Sequence, residues 1–367
     1  MTYADYQKRE AKAVDAIKKA IPSSLKQNML PISKGMFAEL YESKVFPKHY
    51  LACAIDGVGT KIILAEAMHK FDTVGIDLVA MSANDLATLG AVSPFLFVDY
   101  FAVQEKIEEE GLTGEIMKGI VKGLEQCDSS GILRNSIKIN LGKGETASVD
   151  ELISAIKPGY GFDIAGAMIG FIEKDKLNTK ISVGDKIIAL KSSGPHSNGY
   201  TDLRFHLLNG DFETRPEFKK RYKGKFSLSD YFNGKTIGES LLEPTKIYVK
   251  LVNKIASKYN IIGVNNTGYG LKNFNRYNGK FEFFIDDPIC PHPIFELMQR
   301  ESRFSDKEMY QRFNMGMGFF IICKKEDSES ILKIVGKEGQ LVGEVRKAAS
   351  TRTIMVKDNK EIVFEGY

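Results

Sequence analysis

Short apolar runs alternate with amphipathic and polar stretches, and they fall into two blocks. Leu51-Ala52-Cys53-Ala54-Ile55 is a continuous apolar run of strand length ending in Asp and Gly, so it predicts a buried strand. Residues 61–69 predict a helix. Residues 74–86 are apolar almost all round yet carry Asp77, Asn84 and Asp85, which predicts a buried helix holding a few polar groups. Residues 94–103, rich in Phe, Val and Tyr, predict a strand. Leu112, Ile116, Ile120 and Leu124 recur every four residues, which predicts a helix with one face on the core. Residues 137–141 and the long apolar run 162–172 predict two more strands. A short helix is expected near the start, followed by a loop holding Gly35-Met36-Phe37-Ala38.

The charged run Glu173-Lys174-Asp175-Lys176, with Asn178 and Gly184 after it, marks a boundary between domains 1–174 and 175–367. In the second block, 186–190 predicts a strand and 200–208 a helix. Residues 210–235 are polar, charged and aromatic, and read as a surface excursion. Pro244 is placed to start a helix, since its missing N–H costs nothing there, with Ile247, Leu251 and Ile255 as the apolar stripe. Strands are expected at 261–264, 281–285, 319–323, 341–345 and 353–356, and helices at 294–300 and 328–335. Mixed strands and helices in two blocks predict an α+β fold of two lobes.

Composition narrows the classes. The 367 residues are 43% hydrophobic and 27% charged, enough for two domains with a core each. With 51 basic and 47 acidic residues, the balance speaks against a nucleic-acid binder. Cys53, Cys127, Cys290 and Cys323 are widely spaced, which favours free thiols over disulfides or a zinc site. Gln7, Lys8, Arg9 and Glu10 interrupt any signal-peptide core. No apolar run approaches the ~20 residues that span a bilayer. The expectation is a cytoplasmic protein without a membrane partner.

Candidate chemistry clusters at strand ends. Asp56-Gly57-Val58-Gly59-Thr60-Lys61 combines an acid, two glycines, a hydroxyl and a cation. Glycines let backbone N–H groups approach phosphate, lysine adds charge, and aspartate suits Mg²⁺; a plain turn fits the same residues. The frame is not a Walker A loop. Asn84-Asp85 lies in an apolar helix, where an acid is costly unless paired or metal-bound. Gly142-Lys143-Gly144-Glu145-Thr146 repeats the glycine, acid and hydroxyl pattern. Ser193-Gly194-Pro195-His196-Ser197-Asn198-Gly199 opens a helix and suits an anion such as a ribose phosphate. Asn265-Asn266-Thr267-Gly268-Tyr269-Gly270 fits amide or phosphate binding, or a turn alone. Phe313 to Gly318 reads as close packing. No serine elbow, zinc signature or dinucleotide fingerprint is present.

In this order the motifs resemble the aminoimidazole ribonucleotide synthetase family, also called phosphoribosylformylglycinamidine cyclo-ligases, of purine biosynthesis. The resemblance rests on residues 56–61, 73–86 and 192–200, with support from Pro244-Thr245-Lys246-Ile247-Tyr248-Val249 and 313–318. It implies two α+β lobes and a homodimer whose N-terminal sheets join into a barrel. It also implies ATP and Mg²⁺ against the first lobe and a ribonucleotide between the lobes. By resemblance, Asp56, Asp85 and Glu145 are expected Mg²⁺ ligands. Gly57, Gly59, Thr60, Lys61, Asn84, Gly144 and Thr146 are expected at the nucleotide, and Ser193, Gly194, His196, Asn198, Thr267 and Gly268 at the substrate. His196 and Lys61 are the expected catalytic residues, with substrate orientation as the alternative role for His196. The chain departs from the family pattern at Lys143, at Ser148-Val149 where a Met-Pro is usual, and at Tyr269 inside a usual triple glycine. Those departures leave a second reading open: a relative of the same fold that phosphorylates or activates another small substrate. A nucleotide-binding protein without activity is a third.

Overall fold

The computed structural model describes residues 3–133 and 138–366. The first lobe starts with α1 (Tyr3–Ala20), longer than the short helix expected. Then come β1 (Glu39–Glu42), β2 (His49–Gly57), α2 (Ile62–Ala67), α3 (Asp72–Ala87), β3 (Val92–Val103), α4 (Glu105–Glu109) and α5 (Leu112–Cys127). The lobe ends with β4 (Asn140–Leu141), β5 (Glu145–Ser148) and β6 (Phe162–Glu173). The sheet runs β1-β2-β6-β3-β4, with β5 also on β3. The strand expected at 137–141 reduces to β4, and Ile137 lies outside the described residues.

Strand alternation sorts the two faces of this sheet. Ala52, Ala54, Phe97, Phe101, Ile164 and Met168 are buried on the face covered by α3, and α5 packs on α3. Ile55, 72% exposed, and Tyr100, 43% exposed, lie on the other face, which stays open. The helices α3 and α5 meet backbone to backbone. A Cβ on Gly75 would overlap the Ile116 carbonyl, and one on Gly119 the Asp72 carbonyl, so only glycine fits at either position. Leu112, Ile116, Ile120 and Leu124 are all buried, as their spacing predicts.

The second lobe runs β7 (Lys186–Lys191), α6 (Tyr200–Leu207), α7 (Pro216–Lys219), β8 (Tyr231–Phe232), β9 (Lys235–Thr236), α8 (Ile237–Leu242) and α9 (Val249–Ala256). It continues with β10 (Ile261–Asn265), β11 (Phe281–Ile285), α10 (Pro293–Ser302), α11 (Asp306–Arg312), β12 (Met317–Cys323), α12 (Ser328–Val335), β13 (Gly339–Lys347), β14 (Arg352–Lys357) and β15 (Lys360–Phe364). Its sheet has the order β10-β12-β7-β13-β11-β14-β15. Two expectations need correction. Pro244 does not start a helix: α9 begins at Val249, because the Thr245 and Tyr248 N–H groups are taken by Asp77 and Asn84 of α3. The 210–235 excursion is not simply surface, since Glu213 and Tyr222 in it are buried.

A buried ionic knot ties the lobes together. Lys61 Nζ is 2.8 Å from Asp77 Oδ2, with both side chains at 0% exposure. It also donates to the His196 carbonyl at 2.9 Å and the Glu243 carbonyl at 2.7 Å. Asp77 Oδ1 in turn accepts from Thr245 N at 2.7 Å and Thr245 Oγ1 at 2.6 Å. Removing one partner of such a pair leaves an uncompensated buried charge. Asp77→Ala is therefore expected to lower the unfolding free energy by about 3–5 kcal/mol in urea titrations. A loss below about 1 kcal/mol, the level of an exposed pair, would remove the pair as the tie between the lobes.

Candidate active site

The glycine loop leaves the end of β2. Asp56 Oδ1 accepts from Gly57 N at 2.8 Å, and burial raises the Asp56 carboxyl above its ordinary range. Val58 is buried and anchors the turn, while Gly59, at φ +69°, and Thr60 are exposed. Thr60 Oγ1 lies 3.4 Å from Thr201 Oγ1 of α6. A cavity of about 280 Å³ opens beside this loop, lined by Gly59, Thr60, Glu66, Ser154 and Asp163 among others.

Asp85 sits in the last turn of α3, close to Asp56. Asn265 Nδ2 donates to its Oδ1 at 2.8 Å. Burial lifts Asp85 to about 7; the Asn265 bond and the Arg276 charge oppose the rise, and the Asp56 charge adds to it. A third acid, Asp99 in β3, was not singled out by the sequence. Asp56 and Asp99 are both paired with Gly166 of β6, so they flank that glycine on one face of three adjacent strands. Burial raises Asp99 too, and its Oδ2 is buried without a hydrogen-bond partner. Gly144 belongs here: a Cβ on it would run into the Asp99 carboxylate.

Other expected residues are placed differently. Glu145 pairs with Tyr100, hence on the open outer face, and is exposed; register keeps it away from Asp56 and Asp99. Thr146 next to it is exposed as well. Among the described residues, no three acidic, His or Cys side chains form a ready metal cluster. Asn84 is 1% exposed, donates to the Lys246 carbonyl and accepts from Tyr248 N, so its amide joins the lobes and does not face a nucleotide. Lys61 has its ammonium fully engaged inside the knot and does not face the open loop.

The Ser193 loop meets the first lobe across that knot. His196 is 2% exposed, at φ +61°, and accepts from Ser193 N at 3.4 Å through Nε2, which leaves the ring proton on Nδ1. Burial, helped by the Lys61 charge, lowers it to about 3, so the imidazole is neutral at physiological pH. It shapes the loop and has little surface to offer a substrate. Ser193 Oγ donates to the Pro244 carbonyl, and the Gly194 carbonyl accepts from Asn314 Nδ2. Asn198, Thr267 and Gly268 do come together: Thr267 Oγ1 donates to Asn198 Oδ1 at 3.1 Å, and Gly268 adjoins the same oxygen. Tyr269 takes the left-handed region at φ +75° and donates to Glu10 Oε2 of α1. Arg276, which follows the 265–270 loop in sequence, donates to the Gly35 carbonyl and stacks 4.3 Å over the Phe37 ring, tying the early glycine loop to this wall.

Two family models cover most of the chain: AIR synthase related protein, N-terminal domain, over residues 40–172, and its C-terminal domain over 182–356. The chain belongs to the AIR synthase related family. It is 36% identical to a phosphoribosylformylglycinamidine cyclo-ligase of Methanosarcina barkeri, covering 98% of this chain and 97% of that protein. It is 38% identical to the same-named protein of Pyrococcus horikoshii, covering 92% of each. Among solved structures it resembles a HypE-HypF complex at a TM-score of 0.59 and 13% identity, covering 96% of this chain and 98% of that one. It also resembles AaThiL complexed with AMPPCP and TMP at 0.55 and 15%, covering 95% and 93%. At those identities the likeness is one of fold.

The raised acids carry a pH signature. Asp85 titrates near 3.8 when unfolded and about 7 when folded, so the native state holds its proton more tightly. Its stability penalty is absent at low pH and grows as pH rises from about 4 through 7. Asp85→Asn is expected to be more stable than the parent at pH 8 by roughly 1–3 kcal/mol, with the gap closing toward pH 4. Thermal unfolding at both pH values checks this; equal gaps would deny the shift.

Proposed function

We propose that this AIR synthase related protein is an ATP-dependent cyclo-ligase. It closes formylglycinamidine ribonucleotide to aminoimidazole ribonucleotide and releases ADP and phosphate. The full-length match to relatives named as cyclo-ligases carries the reading. The acids of β2, α3 and β3 at the lobe junction agree with it. In this reading the first lobe, 1–174, takes ATP and Mg²⁺, and the second, 175–367, takes the ribonucleotide.

The donor set fits Mg²⁺. Asp56, Asp85 and Asp99 are all hard oxygen donors, and Asp99 Oδ2 is buried and unpartnered. Magnesium is usually held by one or two carboxylates with phosphate oxygens completing its shell, so no preformed three-ligand cage is required. Asp56, Asp85 and Asp99 would hold the ion. When bound, it neutralises charge on the phosphates. The exposed backbone at Gly59 and the Thr60 hydroxyl present donors to the phosphate chain. The formyl oxygen attacks the γ-phosphorus, ADP departs, and the oxygen now bears a phosphoryl group. The ring-closing nitrogen then attacks the formyl carbon, the carbon–oxygen bond breaks, and phosphate carries the oxygen away. The protein's share is to hold two anions in line, with Asn198, Thr267 and Arg276 as the facing wall.

The second reading, another small substrate in the same fold, keeps one observation in its favour. Tyr269 stands where the family resemblance implies glycine, and its hydroxyl donates to Glu10 Oε2. An assay of ADP release separates the two. The first reading expects Mg²⁺-dependent ADP release with formylglycinamidine ribonucleotide; none with it, but turnover of a related compound, selects the second. Asp56→Asn is expected to cut turnover by about 10² or more, comparable to losing a charge-stabilising group, with the fold retained. Undiminished turnover removes Asp56 from the site.

The open face of the first sheet is read as the homodimer surface, where two sheets would close into a barrel. The described residues include no helix long and apolar enough to cross a membrane, and the reading places the enzyme in the cytoplasm. Ile55→Asp puts a charge on the sheet's open face and is expected to give monomers by light scattering. A dimer that persists unchanged points to another interface.

A further inference from the structure

The 149–161 loop, which starts at the Ser148-Val149 departure from the family pattern, forms one wall of the cavity beside Gly59 and Thr60. From the first lobe, Gln104 holds it, donating to the Asp150 and Ile153 carbonyls and accepting from Gly161 N. From the second lobe, two consecutive residues of the 210–235 excursion reach back to it, and a third holds one of them. Arg215 Nη1 donates to the Ser154 carbonyl at 2.7 Å, and Thr214 Oγ1 donates to the Ile156 carbonyl. Glu213 holds the guanidinium with bonds of 2.8 and 3.0 Å. The Glu213 side chain is wholly buried, with the Tyr222 hydroxyl against it and Arg204 donating to that hydroxyl at 2.9 Å. A buried carboxylate gripping an arginine in two places holds it in one orientation, with geometric specificity a lysine lacks.

The far end of the loop closes the circuit. Lys157 N donates to Glu66 Oε1 at 2.6 Å, and Glu66, on α2 directly after the glycine loop, lines the same cavity. The Arg215 charge offsets part of the cost of burying Glu66 as an anion.

We propose that Arg215 is a positioning residue for the nucleotide: a second-lobe arginine that sets the first-lobe wall at Ser154, so that nucleotide affinity depends on how the 210–222 segment is seated. The proposal rests on the reading that the cavity beside Gly59 and Thr60 takes ATP. It makes the ATP site a property of both lobes, although Arg215 touches no nucleotide.

The test compares the full-length enzyme with R215A, R215K and T214V, using calorimetry with a non-hydrolysable ATP analogue, steady-state kinetics, and hydrogen exchange of residues 149–161. For R215A the expected outcome is a KM for ATP raised about tenfold, the scale of one lost charged hydrogen bond, with smaller changes in kcat and in the KM for the ribonucleotide. Exchange in 149–161 should quicken, and R215K should restore little, because lysine cannot reproduce the two-point grip. If R215A fails to fold, T214V, which loses one hydrogen bond at the same loop, is expected to show the same pattern in weaker form. Analogue affinity and loop exchange matching the parent in the folded variants overturn the proposal. A parent enzyme that binds no analogue overturns the underlying ATP reading instead, and with it this inference.

Discussion

Burying the Lys61 ammonium costs several kcal/mol of desolvation, and the structure offsets that cost where Asp77 and the His196 and Glu243 carbonyls meet. Those partners come from α3, from the Ser193 loop and from the turn after α8. The glycine loop, the central helix of the first lobe and the ligand-facing loop of the second are thus joined at one nitrogen. Asp77 extends the joint by taking both the N–H and the hydroxyl of Thr245. Rearrangement at the lobe junction must keep this knot or separate two buried charges. Motions that bend around it leave the glycine loop and the Ser193 loop in register.

Polar groups near this junction divide by whether their bonding is complete. Asn84 uses both ends of its amide, and Lys61 has three acceptors. Their hydrogen-bonding capacity is directed inward. Asp56, Asp85 and Asp99 show the opposite pattern, raised by burial and without a cation bound to them in an ion pair. Acids held this way cost stability, and an arriving cation relieves that cost. Perturbed carboxylates gathered at a junction of loops are where chemistry is expected.

Much of the fold was legible along the chain. The four-residue spacing of α5, the apolar run of β2 and the unbroken apolar stretch of β6 each report the faces of one element, and a period is a local property. Two elements that were not anticipated carried signals as well. Thr236 with Glu239, and Ser305 with Glu308, form capping boxes at the starts of α8 and α11. Pro244 misled because its local fitness for a helix start was overruled by acceptors on α3. The 210–235 excursion misled because Thr214 and Arg215 bond to carbonyls of the other lobe, and Arg215 is held by the buried Glu213.

The site was legible as chemistry and not as geometry. Residue types alone left the Asp56 loop, Asp85 and the 265–270 loop open between turn or local bonding and ligand chemistry, and the family resemblance singled them out. Which acids share a face needed the sheet register: Asp56 and Asp99 flank Gly166 on one face, while pairing with Tyr100 turns Glu145 outward. Sequence spacing determines which way a side chain points within its own element. Whether a polar group is left free for a ligand depends on partners far along the chain, such as the Glu243 carbonyl 182 residues from Lys61, and only the packed lobes decide that.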